Sequence, residues 1–235
     1  MKEKIKIRYY SPTAFQAWKG EVWQVCQQMF NISEQAFYDR LSTFKYFAVF
    51  TVAGQVVGFQ SFFLDEVPLQ GKRVVLVGSG HGGILPEHRQ RRIFPTATVL
   101  FIFRRMLRHP FRRYFLWGLA MTHLSYRMGV RSTEFHYPPQ QGDCPPFFKA
   151  ILDWIGHRYY AETYDDASFT AKVRFAATGD DVIPSEVEKQ DPVVANFIRR
   201  VPTSLEPGNT FGALSVSPVR ANLWVWFKKF GLGVR

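Results

Sequence analysis

Hydrophobic and polar positions change period along this chain, and the changes separate strands from helices. Ile5-Lys6-Ile7-Arg8-Tyr9 alternates with a period of two, which predicts a short strand. Ser11-Pro12 then supplies a helix N-cap and a proline at the first helical position. From there Trp18, Val22, Val25, Cys26 and Met29 recur at spacings of three and four, predicting one helix to about Phe30. Ser33-Glu34-Gln35 caps a second helix that carries Phe37, Tyr38 and Leu41. Tyr46–Val52 and Val56–Leu64 are rich in β-branched and aromatic residues, and Ala53-Gly54-Gln55 between them reads as a hairpin turn. Arg73–Val77 begins another strand after Pro68-Leu69-Gln70-Gly71. It runs into Gly78-Ser79-Gly80-His81-Gly82-Gly83, where glycines at a strand end predict a bulge, a splay or the close approach of another backbone.

After Pro95, Thr96–Arg108 predicts a helix with Val99, Leu100, Phe103, Met106 and Leu107 directed inward. Arg104, Arg105 and Arg108 complement the negative end of its dipole, and Pro110 stops it. Tyr114–Met121 predicts an apolar strand, His123–Met128 a short helix and Phe147–Ile155 a further helix. Arg158–Ala161 with Ser168–Phe175 predicts a last hairpin around Asp165-Asp166. From about Gly179 the composition turns to Pro, Asp and Glu, followed by Pro192–Arg200, Gly212–Val216 and Ala221–Phe230. The expectation is an α/β (α+β) domain over residues 1–178 and a C-terminal extension over 179–235. Phe197, Phe211, Leu223, Trp224, Trp226, Phe227 and Phe230 are expected to pack that extension on the core.

Composition bounds these expectations. A chain of 235 residues with 46% hydrophobic positions can bury a core, which excludes wholesale disorder. Met1–Tyr10 lacks the apolar region of a secretory signal, and Val99–Phe103 and Phe115–Met121 are too short to span a bilayer. The expectation is a soluble, cytoplasmic protein. Its two cysteines, Cys26 and Cys144, form no CxxC and fit a reducing compartment. The formal charge of +11 calls for an acidic partner, whether a nucleotide-bearing cofactor, a carrier protein, nucleic acid or an anionic membrane. It does not choose among them, and solvated surface also absorbs Lys and Arg.

The order strand, two helices, antiparallel hairpin, long strand, helix, strand, helix, hairpin resembles that of the GNAT (acyl-CoA N-acyltransferase) superfamily, over roughly residues 1–178. Val52-Ala53-Gly54-Gln55-Val56-Val57-Gly58-Phe59 is similar to the family's hairpin. Leu85-Pro86-Glu87-His88-Arg89-Gln90-Arg91-Arg92-Ile93-Phe94 resembles its cofactor-binding segment, in which an R-x-x-G-x-G/A loop leads into a helix. In register with Arg89, the family's two glycines are replaced by Arg92 and Phe94. The resemblance implies a mixed, mostly antiparallel twisted sheet flanked by helices. It also implies an acyl donor, acyl-CoA or a phosphopantetheine-bound group, at Ile84, Leu85, Arg89, Gln90, Arg91, Arg92, Ile93 and Phe94. Arg89, Arg91 and Arg92 stand before a helix start, where phosphate is favoured by dipole and side chain together.

Acylation of an amine needs a neutral amine, a polarised thioester carbonyl and a proton for the departing thiolate. Family members often place a carboxylate on the strand before the phosphate loop, but Arg73–Gly83 contains no acid. Ser79 and His81 are its side chains suited to proton work near neutrality. The resemblance places Tyr126 where a tyrosine gives a proton toward the thiolate, with His123 a lesser alternative. His81, His88 and Glu87 form no recognised metal-ligand spacing, so no metal is expected. The expected reaction is transfer of an acyl group, of medium or long chain, to an amine on a small molecule or peptide. An acidic acyl carrier protein suits the basic chain as donor. The alternatives are a non-catalytic GNAT-like binding protein and a nucleic-acid-binding protein, the latter without a docking module.

Overall fold

The computed structural model describes residues 4–30, 32–91, 93–173 and 183–230, and its contacts divide the chain into two compact units. The first unit is Met1–Val67 with Val74–Tyr114 and Phe230–Arg235; the second is Pro68–Arg73 with Phe115–Lys229.

In the first unit, strand β1 (Lys6–Tyr10) leads to α1 (Pro12–Phe15), whose Ser11 hydroxyl accepts from the Ala14 amide. The helix expected to continue to Phe30 is interrupted. A 3-10 turn at Gln16–Trp18 separates α1 from α2 (Lys19–Cys26), and the Trp18 ring lies 5.6 Å from Tyr10. Helix α3 (Glu34–Leu41) is capped by Ser33, and strand β2 (Tyr46–Val52) follows. Strands β3 (Gln55–Leu69) and β4 (Lys72–Ile84) complete the order β1-β2-β3-β4. β1 and β3 are both antiparallel to β2. Both hairpins turn on two residues at positive φ, Ala53-Gly54 and Gln70-Gly71, which matches their strand twist.

α1, α2 and α3 cover one face of these strands with Phe15, Val22, Val25, Cys26 and Phe37 against Phe47, Val49 and Phe59. Helix α4 (Ile93–Arg108) lays Phe101 on Phe62, the rings stacked 4.4 Å apart, while the Tyr9 hydroxyl donates to the Ala97 carbonyl at 2.6 Å. Its buried residues are Ile93, Ala97, Thr98, Val99, Phe101 and Ile102, whereas Leu107 stands in solvent. The expected inward face was therefore rotated. An almost wholly apolar run such as Val99–Phe103 does not select a face by periodicity, and the aromatic shelf of Tyr9, Tyr46 and Phe62 selects it instead.

The second unit holds β5 (Arg113–Ala120), of which Phe115–Ala120 lie in this unit, α5 (His123–Arg131), α6 (Pro146–Tyr160) and β6 (Thr170–Lys172). Then come α7 (Glu186–Lys189), α8 (Pro192–Arg200), a 3-10 turn at Pro202–Leu205, β7 (Phe211–Pro218) and α9 (Val219–Phe230). β7 lies between β5 and β6, antiparallel to both. Among the described residues, the hairpin expected from Arg158–Ala161 with Ser168–Phe175 does not form; Arg174 and Phe175 lie outside them. Arg158 stays in α6, and Thr170 instead pairs with Ala213 of β7. Asp165 does make a turn, accepting from the Ala167 amide and the Ser168 hydroxyl.

The segment expected as an accessory extension thus supplies a central strand of this unit. On α9, Trp226 is buried and Trp224 exposed; the side chains of Phe227 and Phe230 lie outside the description. Among the described residues, no helix is long and apolar enough to cross a membrane.

Candidate active site

The expected site residues fall in both units.

In the first unit, Ser79 is exposed on β4 between two glycines. Beneath it lies Gln60 of β3, 2% exposed, whose Nε2 donates to Ser79 Oγ at 2.8 Å and to Thr98 Oγ1 of α4 at 3.0 Å. Both amide protons are therefore spent on hydroxyl oxygens. With one lone pair filled by Gln60, the Ser79 hydroxyl is biased to direct its own proton outward. Gln60 Oε1 has no partner among the described residues. Sequence reasoning passed over Gln60 and Thr98. The available signal was a lone glutamine inside the apolar run Val56–Phe63, where a buried polar side chain demands partners.

His81, two residues on, faces the other side of the strands. Its ring packs 4.7 Å from Phe30, 5.6 Å from Phe59 and 6.1 Å from Phe37, and Nε2 lies 4.0 Å from Cys26 Sγ. Burial, with a smaller contribution from the Arg40 charge, pushes the imidazole down to about 3, and burial pushes the Cys26 thiol up to about 12. Histidine and thiol are both neutral at physiological pH. The glycines around His81 answer the expected close approach. A Cβ at Gly80 would meet the Phe44 ring at 2.1 Å, one at Gly82 the Phe59 carbonyl at 2.9 Å, and one at Gly83 the Met29 methyl at 2.2 Å. Neighbouring atoms of the protein itself occupy these spaces.

The segment between β4 and α4 departs from an open loop. Ile84 is buried, the Leu85 amide is spent on the Val57 carbonyl at 2.9 Å, and Pro86–Arg91 form a 3-10 helix. Ile93 opens α4 as a buried residue and Phe94 packs edge-on to Phe50, the rings 5.8 Å apart. Pro95 sits in the first turn, where its missing amide costs no intrahelical bond. Nδ1 of His88 is buried without a partner among the described residues. Arg92 lies outside the described residues, as do the side chains of Arg89, Gln90 and Arg91.

In the second unit Tyr126 is 1% exposed in an apolar cluster with Val193, Phe197 and Val201. Its hydroxyl accepts from Asn196 Nδ2 at 2.8 Å and from Arg200 Nη1 at 3.2 Å. Arg200 also donates to the carbonyls of Ser168, Phe169 and Leu214, which knots α8 to β7 and the turn before β6. His123, buried in the first turn of α5, lies 3.3 Å from Glu188, which also accepts from Arg127. Donors of Ser185, first its backbone amide and then its hydroxyl, hold the Glu188 carboxyl down to about 2, and His123 adds to this. Tyr126 and His123 are thus tied into the packing of α5 on α7 and α8. Among the described residues no group of three or more His, Cys, Asp or Glu is placed to hold a metal.

No family model matches the chain, and no curated protein does. Solved structures do. The GNAT family N-acetyltransferase YhbS of Escherichia coli, in complex with CoA, is similar at 17% identity and a TM-score of 0.39, over 55% of this chain and 69% of that one. A ribosomal-protein-alanine N-acetyltransferase of Brucella melitensis biovar Abortus 2308 is similar at 14% identity and a TM-score of 0.38, over 55% of this chain and 90% of that one. A conserved protein of Enterococcus faecalis V583 is similar at 16% identity and a TM-score of 0.41; the match spans 57% of this chain but only 33% of the length of that protein. The first two of these matches each span 55% of this chain.

Proposed function

We propose that this chain is a GNAT-type N-acyltransferase that passes an acyl group from a CoA or phosphopantetheine thioester to an amine. The observation that carries the reading is the Ser79 hydroxyl, exposed on β4 and accepting from the buried Gln60, which leaves its own proton to donate. In acyl transfer the amine nitrogen attacks the thioester carbonyl carbon and negative charge gathers on the carbonyl oxygen. The C–S bond then breaks, and the proton that the amine nitrogen loses passes to the departing thiolate, giving the amide and a free thiol. A donor fixed before the reaction stabilises the developing oxyanion without reorganising. Ser79 has that role. His81, held at about 3 in its aromatic cage, is too weak a base to take the amine proton at neutral pH, so the acceptor arrives as the neutral amine.

The donor group supplies the activated carbonyl and the thiolate leaving group. Residues 84–94 suit its phosphates in charge. They bring Arg89, Arg91 and Arg92, the Nδ1 of His88, buried without a partner among the described residues, and the start of a 16-residue helix to one stretch of chain. A net charge of +11 further suits an acidic carrier protein as the source of the thioester, and the many phenylalanines suit a medium or long acyl chain on an amine of a small molecule or peptide, in the cytoplasm.

Steady-state kinetics of three variants test the assignment. Ser79→Ala and Gln60→Glu should each lower kcat by about tenfold to a thousandfold at little cost in KM, the range seen for a lost oxyanion donor. Glutamate at position 60 accepts where glutamine donates, so it turns the serine proton inward. Combined Arg89→Ala, Arg91→Ala and Arg92→Ala should instead raise KM for the donor. Wild-type kcat in Ser79→Ala removes the serine from the mechanism, and tight donor binding with no turnover assigns the chain to the non-catalytic binding reading.

A further inference from the structure

The last turn of α4 and the turn that follows it present an apolar pair in a cationic stretch of chain. Phe111 is 97% exposed and Leu107 66% exposed. Arg108, His109 and Arg113 are exposed beside them in the chain, while the Arg104 guanidinium lies 4.8 Å from the centre of the Tyr9 ring. A single exposed apolar side chain is ordinary, but Phe111 is the barest of those among the described residues and stands with Leu107 in a cationic stretch.

The base of this tip is fixed. The His109 amide donates to the Arg105 carbonyl and the Arg112 amide to the His109 carbonyl, which closes the turn under Phe111. The Arg105 guanidinium lies 4.1 Å from the centre of the Tyr46 ring, and the Tyr114 hydroxyl donates to the Arg105 carbonyl at 2.9 Å. Arg112 is ion-paired with Glu66. Arg105 and Arg112 hold the turn in place, while Phe111 and Leu107 point away from the unit that carries them.

We infer that this tip docks the protein on an anionic lipid surface, with Phe111 and Leu107 entering the headgroup region and Arg108 and Arg113 meeting phosphates. The shape and the charge choose this occupant together. A phenylalanine bare on nearly every side is a convex feature, and a protein partner would need a matching cavity to bury it. A fluid interface accepts any convex shape, and the arginines beside it are drawn to negative headgroups. One apolar anchor gives only weak, reversible attachment, so the basic stretch is the second signal that peripheral binding requires.

Sedimentation of the full chain with vesicles tests this. Binding is expected to vesicles of phosphatidylcholine mixed with phosphatidylglycerol, to weaken as salt rises, and to be absent with phosphatidylcholine alone. The pair Phe111→Ser and Leu107→Ser, both exposed and dispensable to the fold, should bind about tenfold more weakly with an unchanged thermal midpoint. So should Arg108→Ser with Arg113→Ser. No binding to the mixed vesicles, or equal binding by both double variants and the wild type, overturns the inference. So does binding to an acidic carrier protein through Phe111 without any to the vesicles.

Discussion

A hydroxyl between two glycines says little until its hydrogen-bond polarity is known, and at Ser79 that polarity is set from below by one buried amide. His81 shows a different case, an imidazole that burial holds neutral. Because its folded pKa, about 3, lies below the usual 6.5, the unfolded chain binds a proton that the native one refuses. Stability contributed by the neutral ring is complete above pH 6.5 and falls as pH drops from there toward 3. Burial lowers the His136 imidazole, to about 4, and adds a loss of the same sign. His81→Phe, which keeps an aromatic ring beside Phe30 and Phe59, should flatten the acid limb of a urea-unfolding series between pH 7 and pH 4; an unchanged limb contradicts the burial argument. Tyr126→Phe leaves Asn196 and Arg200 each short of an acceptor. It should destabilise by about 1–3 kcal/mol in the same assay. None of this was legible in the sequence, because Gln60, Asn196 and Arg200 reach their partners across 19, 70 and 74 positions.

Elements built from local signals were the legible part. Ser11 and Ser33 cap the helices they were expected to cap, and the Ala53-Gly54 turn joins two strands as expected. Those interactions close within a few residues, so the sequence contains both partners. The buried face of α4 was not legible, since it depends on rings contributed by β1, β2 and β3. The β4 glycines were legible as close approaches but not as to what approaches them. Gly80 faces a ring fixed in the core, whereas Gly83 faces chiefly the mobile end of a methionine. Gly80→Ala should therefore cost about 1–3 kcal/mol of unfolding free energy. Gly83→Ala should cost distinctly less, and equal losses would mean that Met29 is as rigid as Phe44.

Within the second unit, the chain after residue 183 is a structural necessity. β7 hydrogen-bonds to β5 over Phe115↔Pro218 to Ala120↔Ala213, and its other edge pairs with β6. A chain ended before Phe211 should lose protection from hydrogen exchange across β6, while β1 to β3 keep theirs. Retained protection in β6 would contradict its pairing with β7. The sequence could not show this, because an apolar stretch that arrives late, past a polar linker, has the look of an appendage until its pairing partners nearly a hundred residues earlier are known. The most direct test of the whole account is chemical: incubation of the purified chain with a series of acyl-CoA thioesters and primary amines, read by free thiol and by the mass of the amine. Thiol released together with an amine heavier by the acyl group, and both lost in Ser79→Ala, is the predicted result; thiol release no faster than uncatalysed hydrolysis with every donor and amine would contradict it.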